Sequence, residues 1–180
     1  MKSIPLSPSL FTLFSCLIFY AAVPALGLGL YEIVCNEAKL VTDDCLDALR
    51  NNSTITSATN YRDLSRYILE KGLKRGTSVH NYLMKVAKQY PNDPAIKQCS
   101  TDLYDRTVGA FINALSELDN DPDSALNFAR AAGDGPAACE KAIEDEKANS
   151  LAIKILNNEI SVLSDVAFIA IEHLTHSGGL

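Results

Sequence analysis

Cysteines and histidines are the side chains of this sequence best suited to chemistry, and their spacing limits what that chemistry can be. The cysteines are Cys16, Cys35, Cys45, Cys99 and Cys139. A zinc site usually needs close ligand pairs such as Cys-x2-Cys, and a thiol–disulfide exchange site needs Cys-x-x-Cys. The sequence contains neither pattern. We therefore expect neither a metal site nor a redox centre at the cysteines.

The histidines do not complete a catalytic or metal-binding set either. His80 has Ser78 nearby, but two neighbours on one helix lack the third group of a catalytic triad. His173 and His176 lie three positions apart near the C-terminus, and no third ligand is placed beside them by the sequence pattern. The sequence thus predicts no catalytic residue, no metal and no cofactor, which favours a binding protein over an enzyme.

The first 27 residues predict the compartment in which these side chains work. Lys2 supplies a positive charge, and an apolar run extends from Leu10 to Ala22. Small residues follow, with Ala25 and Gly27 suited to cleavage. The run is shorter than the roughly 20 residues of a membrane-spanning helix. We interpret residues 1–27 as a signal peptide and expect a secreted, extracellular mature protein without a membrane anchor, the vacuole being the alternative destination.

Secretion would decide the state of the cysteines and the charge of the mature chain. Cys16 would be removed, and four cysteines in an oxidising compartment indicate two disulfides with three alternative connectivities. Loss of Lys2 leaves 15 basic and 22 acidic residues, a net charge of −7. No basic stripe is apparent, so we expect no nucleic-acid partner.

Two overlapping glycosylation sequons begin at Asn51 and Asn52, of which at most one can be used for steric reasons.

Apolar residues recur at steps of three or four over most of the remaining sequence, which predicts an all-α protein. The predicted long helical segments are 61–89, 94–118, 122–146 and 149–175. Glycines at 133 and 135 suggest a kink in the third segment or its division into two helices. The fourth segment is apolar nearly all round, which predicts a central position. We expect an up-down-up-down four-helix bundle over residues 59–176.

Two shorter helical pieces within residues 29–50 precede this bundle, and each contains one cysteine. The economical interpretation is a helical hairpin over residues 28–55, clamped by a disulfide between Cys35 and Cys45. Cys99 and Cys139 would then link the second bundle helix to the third.

The cysteine order and the helical segments together resemble the plant family of invertase and pectin methylesterase inhibitors. The resemblance covers most of residues 28–180 and includes "CNEAKLVTDDC", "QCSTDLYDRTVGAFINAL", "ALNFARAAGDGPAACEKAI" and "SVLSDVAFIAIEHL". Within the family, the chain is also similar to pollen allergens described as invertase inhibitors. The resemblance implies the pairs Cys35–Cys45 and Cys99–Cys139, and a non-catalytic protein that forms a stoichiometric complex with an invertase or a pectin methylesterase.

The resemblance also implies a candidate target-binding loop before the third bundle helix. Invertase inhibitors of the family present a Pro-Lys-Phe element there, which corresponds to Pro122, Asp123 and Ser124. Proline is kept, but an acid replaces lysine and serine replaces the aromatic anchor, and such anchors commonly contribute about 2 kcal/mol or more to an interface. The other interpretation of these residues is ordinary helix capping. A carrier of small apolar ligands is the alternative function, because secreted helical proteins with disulfides include such carriers.

Overall fold

The computed structural model describes residues 27–39, 41–145 and 151–177, and most of the predicted signal peptide lies outside them. These residues form helices and no strand. The α-helices are α1 (Leu30–Glu37), α2 (Thr42–Leu49), α3 (Ser53–Thr56), α4 (Tyr61–Gln89), α5 (Pro94–Gln98), α6 (Tyr104–Glu117), α7 (Pro122–Ala131), α8 (Asp134–Asp145) and α9 (Leu151–Ser177), with a π-helical segment at Cys99–Leu103 between α5 and α6. Of the described helices, none is both long and apolar enough to cross a bilayer.

Four antiparallel columns of helix form the bundle, as the sequence predicts. The columns are α4, then α5 to α6, then α7 with α8, and finally α9. Helix α4 packs against α6 and α9, while α7 packs against α6 and α9, so each column has two neighbours. The interior is filled by large side chains without exposed surface, among them Ile68, Leu69, Tyr104, Phe111 and Leu163.

Helix α4 runs unbroken over the range that its periodicity predicts. The Asn60 side chain accepts a hydrogen bond from the Asp63 amide at its start, and the last turn ends at Tyr90. Gly72 lies in the middle of this helix at a buried position. A Cβ on Gly72 would lie 2.5 Å from Cε1 of Phe111, so the absence of a side chain there admits the Phe111 ring.

The second column differs from the single regular helix predicted for 94–118. Asp93 caps α5 and Pro94 occupies its first position, but the backbone widens to a π-helical segment from Cys99 onward. The Ser100 carbonyl in this segment accepts a hydrogen bond from Nε2 of His80 at 2.9 Å. An inserted residue frees a carbonyl from the regular ladder, which explains how a side chain of α4 can satisfy it.

The third column is divided into α7 and α8 at the glycines, one of the two outcomes predicted from the sequence. Gly135, in the first turn of α8, lies close to the second column, since a Cβ there would clash with the Thr107 hydroxyl and the Leu103 carbonyl oxygen. The close approach brings Cys139 to Cys99, and their Cα atoms are 5.0 Å apart in the disulfide. On the chain-entropy account this 40-residue separation gives roughly 4 kcal/mol of stabilisation.

Helix α9 is only partly central, contrary to the prediction from its composition. Its later turns are buried against α4 and α7, but Leu151 is 67% exposed and Ile155 is 59% exposed. These two residues lie four apart and therefore share one face. A helix in a four-column bundle always turns one face to solvent, so apolar composition alone could not place this one in the interior.

The N-terminal hairpin packs α1 against α2, and Cys35 is bonded to Cys45 with a Cα separation of 5.5 Å. Across a 10-residue separation such a link gives roughly 3 kcal/mol on the same account. His173 of α9 holds the hairpin to the bundle. Its Nε2 lies 2.8 Å from Oε2 of Glu37, and its ring stacks on Tyr61 at a centroid distance of 4.3 Å.

Candidate functional site

The loop between α6 and α7 begins with a carboxylate that joins two columns of the bundle. Asp119 accepts hydrogen bonds from Arg62 at 2.9 Å and from Arg66 at 2.8 Å, both on the first turns of α4. Hydrogen bonding by Arg66 and then by Arg62 lowers the pKa of Asp119 below its ordinary value. The loop is thus anchored at its start and remains exposed to solvent.

The predicted target-binding residues form the first turn of α7 directly after this anchor. Asp121 is the N-cap: its Oδ1 accepts from the Ser124 amide at 3.0 Å, and its Oδ2 accepts from the Ser124 hydroxyl at 2.7 Å. The Ser124 amide and hydroxyl lower the pKa of Asp121. Pro122 occupies the first helical position, and Asp123 is exposed at the second. These residues therefore adopt the capping arrangement that their types also predict.

The side chains that this turn exposes to solvent determine which groups it could contact. Asp123 presents a carboxylate to solvent, whereas the Ser124 hydroxyl donates to Asp121. Neither position has an aromatic ring that could fill a pocket on a partner. Acidic groups at a helix start also interact favourably with the helix dipole, so the turn is stabilised locally and presents negative charge to solvent.

The closing motif "SVLSDVAFIAIEHL" proves to hold α9 against α7. The Ser164 hydroxyl donates to the Ala129 carbonyl oxygen at 2.7 Å, and a Cβ on Gly133 would lie 2.9 Å from the same hydroxyl oxygen. The Arg130 guanidinium lies over the Phe168 ring, 4.0 Å from its centroid. The motif therefore fixes the helix that presents Pro122, Asp123 and Ser124 (the capping turn).

The three histidines make contacts that hold parts of the fold together. His80 donates toward the Ser100 carbonyl rather than toward Ser78, whose hydroxyl donates to the Lys74 carbonyl oxygen. His173 pairs with Glu37, and Nδ1 of His176 lies 2.7 Å from the Glu172 carbonyl oxygen. Among the described residues, no three acidic, histidine or cysteine side chains are grouped so as to hold a metal ion.

The two sequon asparagines lie in different environments. Asn51 is exposed in the turn after α2, while Asn52 is partly buried. The Asn52 Oδ1 accepts a hydrogen bond from the Thr54 amide at 3.1 Å and caps α3.

Sequence reasoning missed a buried polar pair and the charge of α4. The Tyr104 hydroxyl donates to Oδ1 of Asn157 at 2.7 Å in the interior, and burial raises the pKa of Tyr104. Helix α4 contains seven Lys and Arg residues but only two acids. A count of charge for each helix would have found this basic excess, whereas the Tyr104–Asn157 pair joins segments 53 positions apart and leaves no local signal.

The sequence matches the family described as "Plant invertase/pectin methylesterase inhibitor" over residues 30–170, most of the chain. A solved mutant form of a pectin methylesterase inhibitor from Arabidopsis superposes with a TM-score of 0.70 and 19% identity, covering 80% of this chain and 96% of the other. A pectin methylesterase inhibitor from Arabidopsis thaliana gives a TM-score of 0.60 at 20% identity, covering 80% and 95%. At these identities the likeness shows a common fold. No curated protein matches the sequence.

Proposed function

This chain belongs to the plant invertase/pectin methylesterase inhibitor family, and from this premise we propose that it is a secreted, non-catalytic inhibitor of a plant cell-wall carbohydrate-active enzyme. It would act by forming a stoichiometric complex with that enzyme. The family match over residues 30–170 is the observation that supports this proposal most strongly.

Pectin methylesterase is the target that we propose first, with invertase as the second candidate. Two solved structures that share this fold are described as pectin methylesterase inhibitors. The capping turn favours the same choice, because the Ser124 hydroxyl is engaged by Asp121 and the Asp123 carboxylate replaces a cation. An inhibitor with an acidic excess would also be attracted to a basic esterase, which raises the rate of encounter.

The alternative function, a carrier of small apolar ligands, needs an internal cavity. The inward faces of the columns instead pack fully buried side chains such as Tyr104, Phe111 and Ile160 against one another. This filled interior supports the inhibitor over the carrier. Titration with a fluorescent lipid probe checks the point, and saturable binding of the probe would favour the carrier.

Secretion through residues 1–27 and glycosylation at one sequon are further parts of the proposal. We expect the glycan on Asn51, because that side chain is exposed whereas Asn52 is partly buried and caps α3. Mass spectrometry of the protein secreted by plant cells tests both expectations, through the new N-terminus and the modified asparagine. A glycan found on Asn52 would contradict the assignment.

The experiment for the proposed function compares the two enzyme classes directly. Purified protein is mixed with a pectin methylesterase and, separately, with an invertase at the acidic pH of the cell wall. Complex formation is followed by size-exclusion chromatography and residual activity by substrate turnover. We expect co-elution with the esterase and loss of its activity. Co-elution with invertase alone would transfer the proposal to the second target.

A further inference from the structure

The charge of this molecule is divided unevenly between α4 and the rest of the chain. Helix α4 has seven Lys and Arg residues and two acids, a net charge of +5. The remaining residues contain nine basic and twenty acidic side chains, a net charge of −11. A protein with this distribution has a basic face that a net charge of −6 conceals.

Three lysines, two tyrosines and a serine lie along one face of α4. Steps of three or four residues connect the members of this stripe, so they project from the same side of the helix. Over these 18 positions the stripe is about 27 Å long at 1.5 Å per residue. The members of the stripe are Tyr67, Lys71, Lys74, Ser78, Tyr82 and Lys85.

The lysines of the stripe differ from the arginines of α4 in their partners. Arg62 and Arg66 bind Asp119, and Arg75 pairs with Glu159 at 2.7 Å. Within the described part of the chain, Lys71 and Lys74 have no carboxylate at ion-pair distance. Their ammonium groups are therefore available to an anionic ligand.

Tyr67, Lys71 and Lys74 also line a surface groove of about 470 Å³ between α4 and the hairpin. Asn52 and Thr54 form part of its wall, so residues with amide and hydroxyl groups border the same groove as the two lysines. Glu70 and Glu159 line it too, but Glu159 is neutralised by Arg75. Such a surface combines charge for carboxylates, rings for the apolar faces of sugars and hydrogen-bonding groups for hydroxyls.

We propose that the stripe Tyr67–Lys85 on α4, with the adjoining groove, binds an acidic polysaccharide whose sugar units bear carboxylates. An extended ligand with regularly repeated anions matches a basic stripe of this length. The choice of a polyuronate rests on the proposed function, because hydrolysis of pectin methyl esters leaves a polysaccharide with free carboxylates. The inhibitor would thereby be retained on the polymer on which its target acts.

The stripe and the capping turn lie on different sides of the bundle. Helix α7, which carries the capping turn, packs against α6 and α9, the two neighbours of α4, and so lies diagonally across the bundle from the stripe. A polysaccharide on the stripe would therefore leave the capping turn accessible to an enzyme.

The test measures binding of the purified full-length secreted protein to polygalacturonate at low ionic strength, with no enzyme present. We expect saturable binding that added salt weakens, and no binding to fully methyl-esterified pectin, which lacks the carboxylates. Lys71→Glu with Lys74→Glu is expected to weaken binding about tenfold, because two attractions become repulsions. The matched control is Lys97→Glu with Lys141→Glu, which makes the same charge change at exposed positions outside α4 and is expected to bind as the parent does.

Several results would overturn the proposal. They are absence of binding, equal binding to the esterified polymer, an equal loss in both double variants, or equally tight binding to RNA. The last would indicate a surface for polyanions in general. Circular dichroism verifies that each variant is folded. Inhibition of the esterase is measured separately on a short soluble substrate, and Lys71→Glu with Lys74→Glu should inhibit as the parent does. Polyuronate binding without inhibition would count against the proposed function alone.

Discussion

The ring of Phe111 lies against the backbone of Gly72, at the place where any larger residue would put its side chain. A Cβ on Gly72 would come within 2.5 Å of Cε1 and 2.7 Å of Cζ of Phe111. Both residues are buried, at the contact between α4 and α6. The position of the stripe on α4 relative to the rest of the bundle depends on this contact.

Gly72→Ala should therefore destabilise the protein, although alanine is the better helix former. Forcing a buried ring aside typically costs about 1–3 kcal/mol, and helix propensity offsets up to about 1 kcal/mol of that. Gly109→Ala is the matched control, since a Cβ there has nothing within 4 Å, and it should stabilise by about 0.5–1 kcal/mol. Urea unfolding measures both changes. Equal effects of the two substitutions would show that the Phe111 contact does not constrain the bundle.

Asp119 makes the stability of the protein depend on acidity. Its pKa is lowered in the folded state, so its contribution is present above the ordinary carboxyl range and is lost as the pH falls through the folded value. The group is exposed, and the expected effect of Asp119→Asn near neutral pH is at most about 1 kcal/mol.

The difference in the free energy of unfolding between the parent protein and Asp119→Asn should vanish at strongly acidic pH. Urea unfolding repeated at a series of pH values measures this difference. Asp102→Asn is the control, because the pair of Asp102 with Arg106 is longer, at 3.9 Å, and more exposed. A gap that stays constant down to acidic pH would contradict the role assigned to the two arginines.

The buried pair of Tyr104 with Asn157 predicts the opposite pH dependence. Burial raises the pKa of Tyr104, so above about pH 10 the unfolded chain loses a proton that the folded chain keeps. Unfolding is then favoured as the pH rises. Tyr104→Phe should cost about 1–3 kcal/mol near neutral pH, because Oδ1 of Asn157 loses its buried donor.

Tyr104→Phe should remove the loss of stability that the parent protein shows at alkaline pH. The difference in the free energy of unfolding between the two proteins should therefore narrow above the ordinary tyrosine pKa. Tyr82→Phe is the control, since that residue is 39% exposed. It should change neither the free energy of unfolding near neutral pH nor its decrease at alkaline pH. A difference from the parent that did not change with alkaline pH would show that Tyr104 ionises as readily in the folded state.

The capping turn predicts a change of target preference on substitution. Asp123→Lys with Ser124→Phe restores the cation and the aromatic anchor of the family's invertase inhibitors, and it should increase inhibition of invertase about tenfold or more. Asp123→Asn with Ser124→Ala is the control, because it removes the charge and the hydroxyl without adding an anchor. If both double variants inhibit invertase equally, the turn is not the invertase contact.

Local sequence patterns predict the helices well. Prediction from sequence fails for contacts between segments that are distant along the chain. The bounds of α4 follow from Asn60 and the apolar period, and the division at Gly133 follows from residue type. The π-helical segment could not be predicted, because no local pattern of residues marks it, and the Ser100 carbonyl accepts a hydrogen bond from His80, 20 positions away. Exposure of Ile155 was missed because hydrophobicity does not specify which face of α9 has a neighbour.

The capping turn shows the same limit at the candidate site. Asp121, Pro122 and Ser124 predict a helix start, and the structure has one. The attachment of the loop to α4 through Asp119 depends on side chains more than 50 positions apart, which sequence alone does not connect.

Titration of a fixed amount of pectin methylesterase with the purified protein tests the central claim most directly. Residual esterase activity, followed by release of methanol from pectin at cell-wall pH, should fall linearly and reach its minimum near one inhibitor per enzyme. Protein with reduced and alkylated cysteines is the control and should not inhibit, because it lacks both links between helices. Full activity at a large excess of folded protein, across several esterase isoforms and with invertase also unaffected, would contradict the account.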